Sequence, residues 1–165
     1  MKKEEVINEI IQTRKSVYPI QYIDEEISNE IIHQILENAD RAPTHKLTEP
    51  WRFKVVSNEK KDELAKFMAN KCKPIIFFQR DQKNHLPEWE EIASTAMAVQ
   101  NMYLTCTAYN IGCYWSSPNL IDYIGEFIHL KEGERCIGLF YMGYYQADLP
   151  VSKRSPLEEK FEWLL

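Results

Sequence analysis

The chain has 165 residues, is 44% hydrophobic and carries a formal net charge of -5. That length suits one domain with a real apolar core. A mildly acidic balance excludes the clustered Lys and Arg that grip nucleic-acid phosphates or anionic membranes.

The spacing predicts a helix over residues 3 to 13, with Val6, Ile7, Ile10 and Ile11 on one face, ending in Arg14-Lys15-Ser16. A second helix is expected from about Ser28, a good N-cap, to about Asp40, with a buried stripe of Ile31, Ile32, Ile35, Leu36 and Ala39. An irregular stretch follows from Arg41 to Pro50, bracketed by two prolines that push Ala42 and Glu49 towards extended geometry. Residues 51 to 56 alternate as a half-buried strand does, with Trp51, Phe53 and Val55 opposite Arg52 and Lys54. A polar helix is expected over residues 59 to 71 and a short buried strand over residues 75 to 79.

From about Pro87 to Ile111 the pattern is one long helix, with Pro87 at or near its first turn. Trp89, Ile92, Ala93, Ala96, Met97, Val99, Tyr103, Leu104 and Ala108 lie almost all round it. A helix apolar on most sides must be buried on most sides. A small domain has trouble burying a helix of roughly 35 Å, and a partner subunit would solve the problem. Gly112 is expected to end this helix, before a short strand at Cys113 to Trp115 and a short helix over about Asn119 to Phe127. Residues 135 to 145 form the strongest strand, apolar on both faces and therefore central in its sheet. The tail is charged but ends in Phe161, Trp163, Leu164 and Leu165, which predicts docking on its own subunit or another. The expected architecture is α+β, a single domain over residues 1 to 165, with a central mixed sheet of about four or five strands surrounded by helices.

The opening MKKEEV has no apolar core of a signal peptide, and the apolar run from Cys136 to Tyr145 is too short to span a bilayer, so a cytoplasmic protein is expected. Cys72, Cys106, Cys113 and Cys136 form no C-x-x-C pair and read as reduced, mostly buried thiols. His33, His45, His85 and His129 are scattered, and no metal site is expected. The glycine-rich nucleotide loops G-x-G-x-x-G and G-x-x-x-x-G-K-[ST] are absent, as is the G-x-S-x-G elbow of serine hydrolases. Any nucleotide must be held mainly by side chains.

Arg14-Lys15-Ser16 offers a guanidinium fork beside a hydroxyl, which suits a terminal phosphate. Taken alone, cations at a helix C-terminus are the simpler account. The proline-fixed loop from Arg41 to Phe53 has the character of a ligand loop, and equally of an ordinary helix-to-strand connection.

Three stretches together resemble the FMN-dependent nitroreductase family. They are Arg14-Lys15-Ser16-Val17; Ala42-Pro43-Thr44-His45 running to Pro50-Trp51-Arg52-Phe53; and the long helix closing in Tyr109-Asn-Ile-Gly112-Cys-Tyr-Trp115, followed by Cys136-Ile-Gly138-Leu-Phe-Tyr-Met-Gly143-Tyr. Pro43-Thr-His45-Lys46 and Asn84-His85-Leu86-Pro87-Glu88-Trp89-Glu90 are most similar to the shortest subgroup, and Lys153-Arg154-Ser-Pro156-Leu157-Glu158 resembles the family's C-terminal element. The resemblance implies an intertwined homodimer with two FMN sites at its interface. Arg14 and Ser16 would meet the ribityl chain and phosphate, with Lys15 adding backbone contacts or charge. Arg41 would sit near the same cofactor, and His45 would reach the flavin bound mainly by the other subunit. Tyr114, Trp115 and Ser116 would line the flavin plane or its edge, and Lys153 or Arg154 would complete the phosphate clamp. The implied reaction is ping-pong hydride transfer from NAD(P)H to nitroaromatic or quinone acceptors, with no catalytic side chain assigned. A flavin store or redox sensor is the alternative; dehalogenation or enone reduction on the same scaffold would call for larger substrate-covering insertions.

Two departures stand out. Many members carry a basic residue where this chain has Tyr18, and a Gln where it has Glu49, which cannot donate a hydrogen bond when ionised.

Overall fold

A computed structural model describes residues 2–57, 59–60, 62–64, 75–80 and 86–164. Helix α1 spans Lys3–Thr13, opened by Glu5, whose carboxylate accepts from the Lys2 N–H at 2.9 Å. Its apolar face is only half covered: Val6 and Ile10 are half-buried, whereas Ile7 and Ile11 are exposed. Helix α2 spans Asn29–Ala39, and the Ser28 hydroxyl caps it by accepting from the Ile31 N–H. Ile32, Ile35 and Ala39 are its buried stripe.

Strand β1 is Trp51–Lys54. The alternation stops there: Val55 turns out to solvent and Val56 turns in. The polar helix expected over residues 59 to 71 lies largely outside the described residues. Strand β2 is Ile75–Gln79, helix α3 is Glu88–Ala108 with Pro87 as N-cap, strand β3 is Ile111–Ser116 and strand β4 is Glu134–Tyr144. The short helix after β3 is a 3₁₀ helix, Asn119–Glu126.

Among the described residues these strands make one sheet in the order β1-β2-β4-β3, antiparallel at every pairing. That corrects the expectation of a mixed sheet. Strands β2 and β3 do run the same way, as a strand–helix–strand unit should, but β4 inserts between them and no parallel ladder forms. The inner place of β4 agrees with its two apolar faces. Phe140 and Met142 join a core with α2 and α3, while Cys136, Leu139 and Tyr141 join Phe77, Leu64 and Ile124 in the other.

Gly112 does not end α3. Asn110 does, in the left-handed region at φ 55°, a conformation its short polar side chain tolerates. Gly112 lies inside β3, where a Cβ would come within 2.8 Å of Val17 Cβ. This close approach lets residues 17–23 run along the sheet: the Val17 N–H donates to Cys113 O at 3.0 Å and the Ile23 N–H to Tyr144 O at 2.9 Å.

The long helix behaves as its composition requires. One side is sealed by Ala98, Val99, Met102 and Cys106. The opposite side carries Trp89, Ala93, Met97 and Leu104 at helical spacing, with Trp89 68% and Met97 39% exposed. The tail is not docked on its own chain: every described residue from 151 to 164 is exposed. Phe161 and Trp163 touch edge to face. No helix among the described residues is long and apolar enough to cross a membrane.

Candidate functional site

The site assembles where the chain leaves α1. Arg14 follows the last helical turn, and extended backbone carries residues 14–17 to β3. The Arg14 guanidinium carbon lies 5.1 Å from the centre of the Tyr103 ring, a cation–π contact. Tyr103 projects from α3, and its hydroxyl oxygen accepts from the Trp115 N–H at 2.7 Å. Burial raises the Tyr103 phenol above its ordinary value, while the Trp115 N–H, the neighbouring Ser16 and the Arg14 charge act against it. It stays a neutral phenol that ties three elements together.

Tyr103 is the residue that sequence reasoning missed as part of this cluster. Its polar tip gave little signal by itself, because α3 carries many other polar side chains; only the rule that a buried tyrosine hydroxyl needs a partner points to it.

Successive residues of an extended segment point opposite ways, and Lys15 accordingly leaves this cluster. Its Nζ donates to Leu149 O at 2.6 Å and lies 5.9 Å from the Tyr145 ring, in a cavity of about 490 Å³ lined also by Glu9, Thr13 and Asp148. Arg14 and Lys15 have no carboxylate partner among the described residues.

Tyr114 lies between Tyr18, whose ring is tilted by 49° at 4.7 Å between centres, and Tyr141, stacked on it at 6.2 Å. Tyr18 therefore extends an aromatic surface where many relatives are expected to carry a cation. The Trp115 indole lies against Gly138, and its Nε1 is buried with no hydrogen-bond partner among the described residues. Ser116 closes β3 beside it, half-buried.

His45 stands elsewhere: its loop packs near the start of α3, where His45 Nδ1 meets Glu90 Oε2 at 2.6 Å. Arg41 opens that loop at the end of α2, where its N–H donates to Asn38 O, and Asn38 in turn bonds Asn101 and Thr105 towards the other end of α3. Thirteen residues of helix separate Glu90 from Tyr103, roughly 20 Å along the axis. The loop holds Lys46, Leu47 and Glu49 at φ 52°, 53° and 43°. Non-glycine residues in that region store strain, and such strain clusters at functional sites. Arg41 is exposed, as are Lys153 and Arg154 in the tail, and none of these makes an ion pair among the described residues. Within one chain, then, Arg14, Ser16 and Trp115 gather round Tyr103 on the α3 side of the sheet, while Tyr114 and Ser116, at alternate positions of β3, face the other side, Tyr114 with Tyr18 and Tyr141. Lys15 faces the adjoining cavity, and Arg41, His45, Lys153 and Arg154 are not tied to the cluster.

A family model described as "Nitroreductase family" matches residues 11–84 and 74–144. The Bacillus subtilis protein named "Putative NAD(P)H nitroreductase YfhC" is 27% identical, covering 94% of this chain and 93% of the relative. Escherichia coli K12 "Putative NAD(P)H nitroreductase YdjA" is 25% identical over 78% of this chain and 84% of its own. The crystal structure of a "Nitroreductase-like Family Protein" from Bacillus cereus superposes with a TM-score of 0.83 at 25% identity, covering 96% and 95% of the two chains. A Desulfovibrio desulfuricans "putative nitroreductase in complex with fmn" superposes at 0.77 with 23% identity, covering 96% of each. The family match runs through the segments that carry Arg14, Ser16, His45, Tyr103 and Trp115, and by it this chain belongs to the nitroreductase family.

Proposed function

We propose that the protein is an FMN-dependent oxidoreductase that draws on NAD(P)H and works as a homodimer, each site shared between two chains. The observation that carries this reading is the division of the site residues between the two ends of α3. Arg14, Ser16 and Trp115 stand near one end, His45 near the other, and an uncovered apolar stripe runs between them. A two-fold axis crossing the middle of that stripe would bring one chain's His45 end to the partner's Arg14 end. It would also bury the stripe.

The donor set fits FMN. A phosphate takes charge-assisted bonds from guanidinium and hydroxyl groups, and Arg14 with Ser16 supplies both, with no carboxylate competing. Lys15, with one of its three donors on Leu149 O, adds positive charge, and Lys153 or Arg154 is free to complete the clamp. Tyr18 and Tyr114 offer aromatic surface for a ring system on one side of the sheet, and Trp115 lies on the other. The relative crystallised with FMN supports the same cofactor here.

When bound, FMN supplies the acceptance of hydride from NAD(P)H and its delivery to an oxidised acceptor of the nitroaromatic or quinone type. The side chains hold the cofactor and exclude water from one face. Tyr18 at the position usually basic favours a second reading, a flavin store or sensor of little turnover. Purified protein titrated with FMN should turn yellow and then oxidise NAD(P)H when menadione is added. A colourless sample after excess FMN ends the flavin reading; a yellow one that does not oxidise NAD(P)H favours the store.

A further inference from the structure

The His45–Glu90 contact lies at the end of α3 far from Arg14 of the same chain. Glu90 lies in the first turn of α3, where the helix macrodipole favours negative charge, and its side chain is 24% exposed. A carboxylate only accepts hydrogen bonds, so at 2.6 Å His45 Nδ1 must carry the proton and donate it. The opposite ring atom, Nε2, has no partner among the described residues, and the His45 side chain is 53% exposed. The backbone just after it is held in strained geometry at Lys46, Leu47 and Glu49, and closed by the Thr44–Thr48 hydroxyl contact at 3.1 Å. A loose surface pair would need neither feature.

We propose that Glu90 is a positioning residue: it fixes the His45 tautomer with the proton on Nδ1, so that the neutral ring presents Nε2 as an acceptor to a ligand at the subunit seam. The ligand chemistry this fits is an imide N–H, which the isoalloxazine ring of FMN carries on its pyrimidine portion. In that ligand assignment the inference rests on the flavin reading above; the tautomer assignment does not.

The test uses ¹⁵N-histidine-labelled full-length protein without added FMN, followed by FMN titration. In the wild type, the neutral His45 ring should show its proton on Nδ1; in Glu90→Ala it should move to Nε2, the tautomer favoured in water. A wild-type ring protonated on Nε2, or a Glu90→Ala ring unchanged from wild type, overturns the proposal. FMN affinity should fall about tenfold in Glu90→Ala, equivalent to about 1.4 kcal/mol, and by a similar factor in His45→Ala. The double variant should lose no more than His45→Ala alone. Losses that multiply would mean that Glu90 acts independently of His45 and would refute the positioning role. If the wild type takes up no FMN, the flavin reading fails, and the tautomer measurement still decides the role of Glu90.

Discussion

Replacing Gly138 with alanine tests how the sheet positions the aromatic wall of the site. A Cβ built on Gly138 falls 1.6 Å from Trp115 Nε1, 2.4 Å from Cδ1 and 2.8 Å from Cε2. Ordinary contact needs about 3.4 Å or more, so the indole must slide by roughly 2 Å. The obstacle is a rigid ring, with no flexible tip to swing aside. Overpacking of this kind costs about 1–3 kcal/mol, and the contacts that the displaced indole gives up bring the expected loss to about 3 kcal/mol. For a chain of this size that lowers Tm by roughly 6–12 °C. Gly125→Ala is the matched control, because the nearest atom to a Cβ there is Leu130 Cδ1 at 3.6 Å. It should change stability by less than about 0.5 kcal/mol. Circular dichroism melts of the three proteins decide the matter. A Gly138→Ala variant melting within about 2 °C of wild type would refute the reasoning.

Arg14→Ala should lower the flavin content of the purified protein several-fold; a variant saturated with FMN would remove Arg14 from the phosphate clamp. The wild type should sediment as a dimer at micromolar concentration and Met97→Glu as a monomer, because the substitution puts a charge in the uncovered stripe. A folded wild-type monomer that still holds FMN would sink the shared-site model. Burial pushes the Cys136 thiol up to about 11, and the Asp122 charge adds to it. Its contribution is therefore fully present below about pH 9, and it is lost as pH rises towards 11, because the unfolded chain ionises first. Unfolding free energies from urea titrations should fall over that window by up to roughly 2 kcal/mol more in the wild type than in Cys136→Ala. Equal losses would show that Cys136 is not the titrating group.

Much of this was readable in the residues. Helix α1 was placed at its observed ends because isoleucine and valine recur every three or four positions and the pattern stops at Arg14. Ser28 announced α2 because a hydroxyl before an apolar stripe satisfies an otherwise orphaned N–H. The family-like motifs single out Arg14, Ser16, Tyr114 and Trp115 as candidates, and they do not say that β3 sends Tyr114 and Trp115 to opposite faces of the sheet. Tyr103 organises the Arg14, Ser16 and Trp115 cluster through a hydroxyl, and nothing local distinguishes that tyrosine from one whose ring merely packs. The end of α3 was misplaced because glycine is the commoner left-handed residue, whereas here Asn110 takes that role and Gly112 serves packing. Strand direction was hidden for another reason: periodicity reports which face is buried, never which neighbour a strand finds. The apolar end of the tail points to docking, and composition alone does not say against what.

Strand β1 has one further consequence. It is an outermost strand, and its unpaired backbone groups could template a neighbour's strand. It is only four residues long, it begins straight after Pro50, and it carries Arg52 and Lys54. Lys54 is engaged on Glu134 and His129 O, and Arg52 on the carbonyls of Glu49 and Trp51. An incoming chain would find a short ladder flanked by charge, so this border resists fibre-like stacking even while the face along α3 stays open to association.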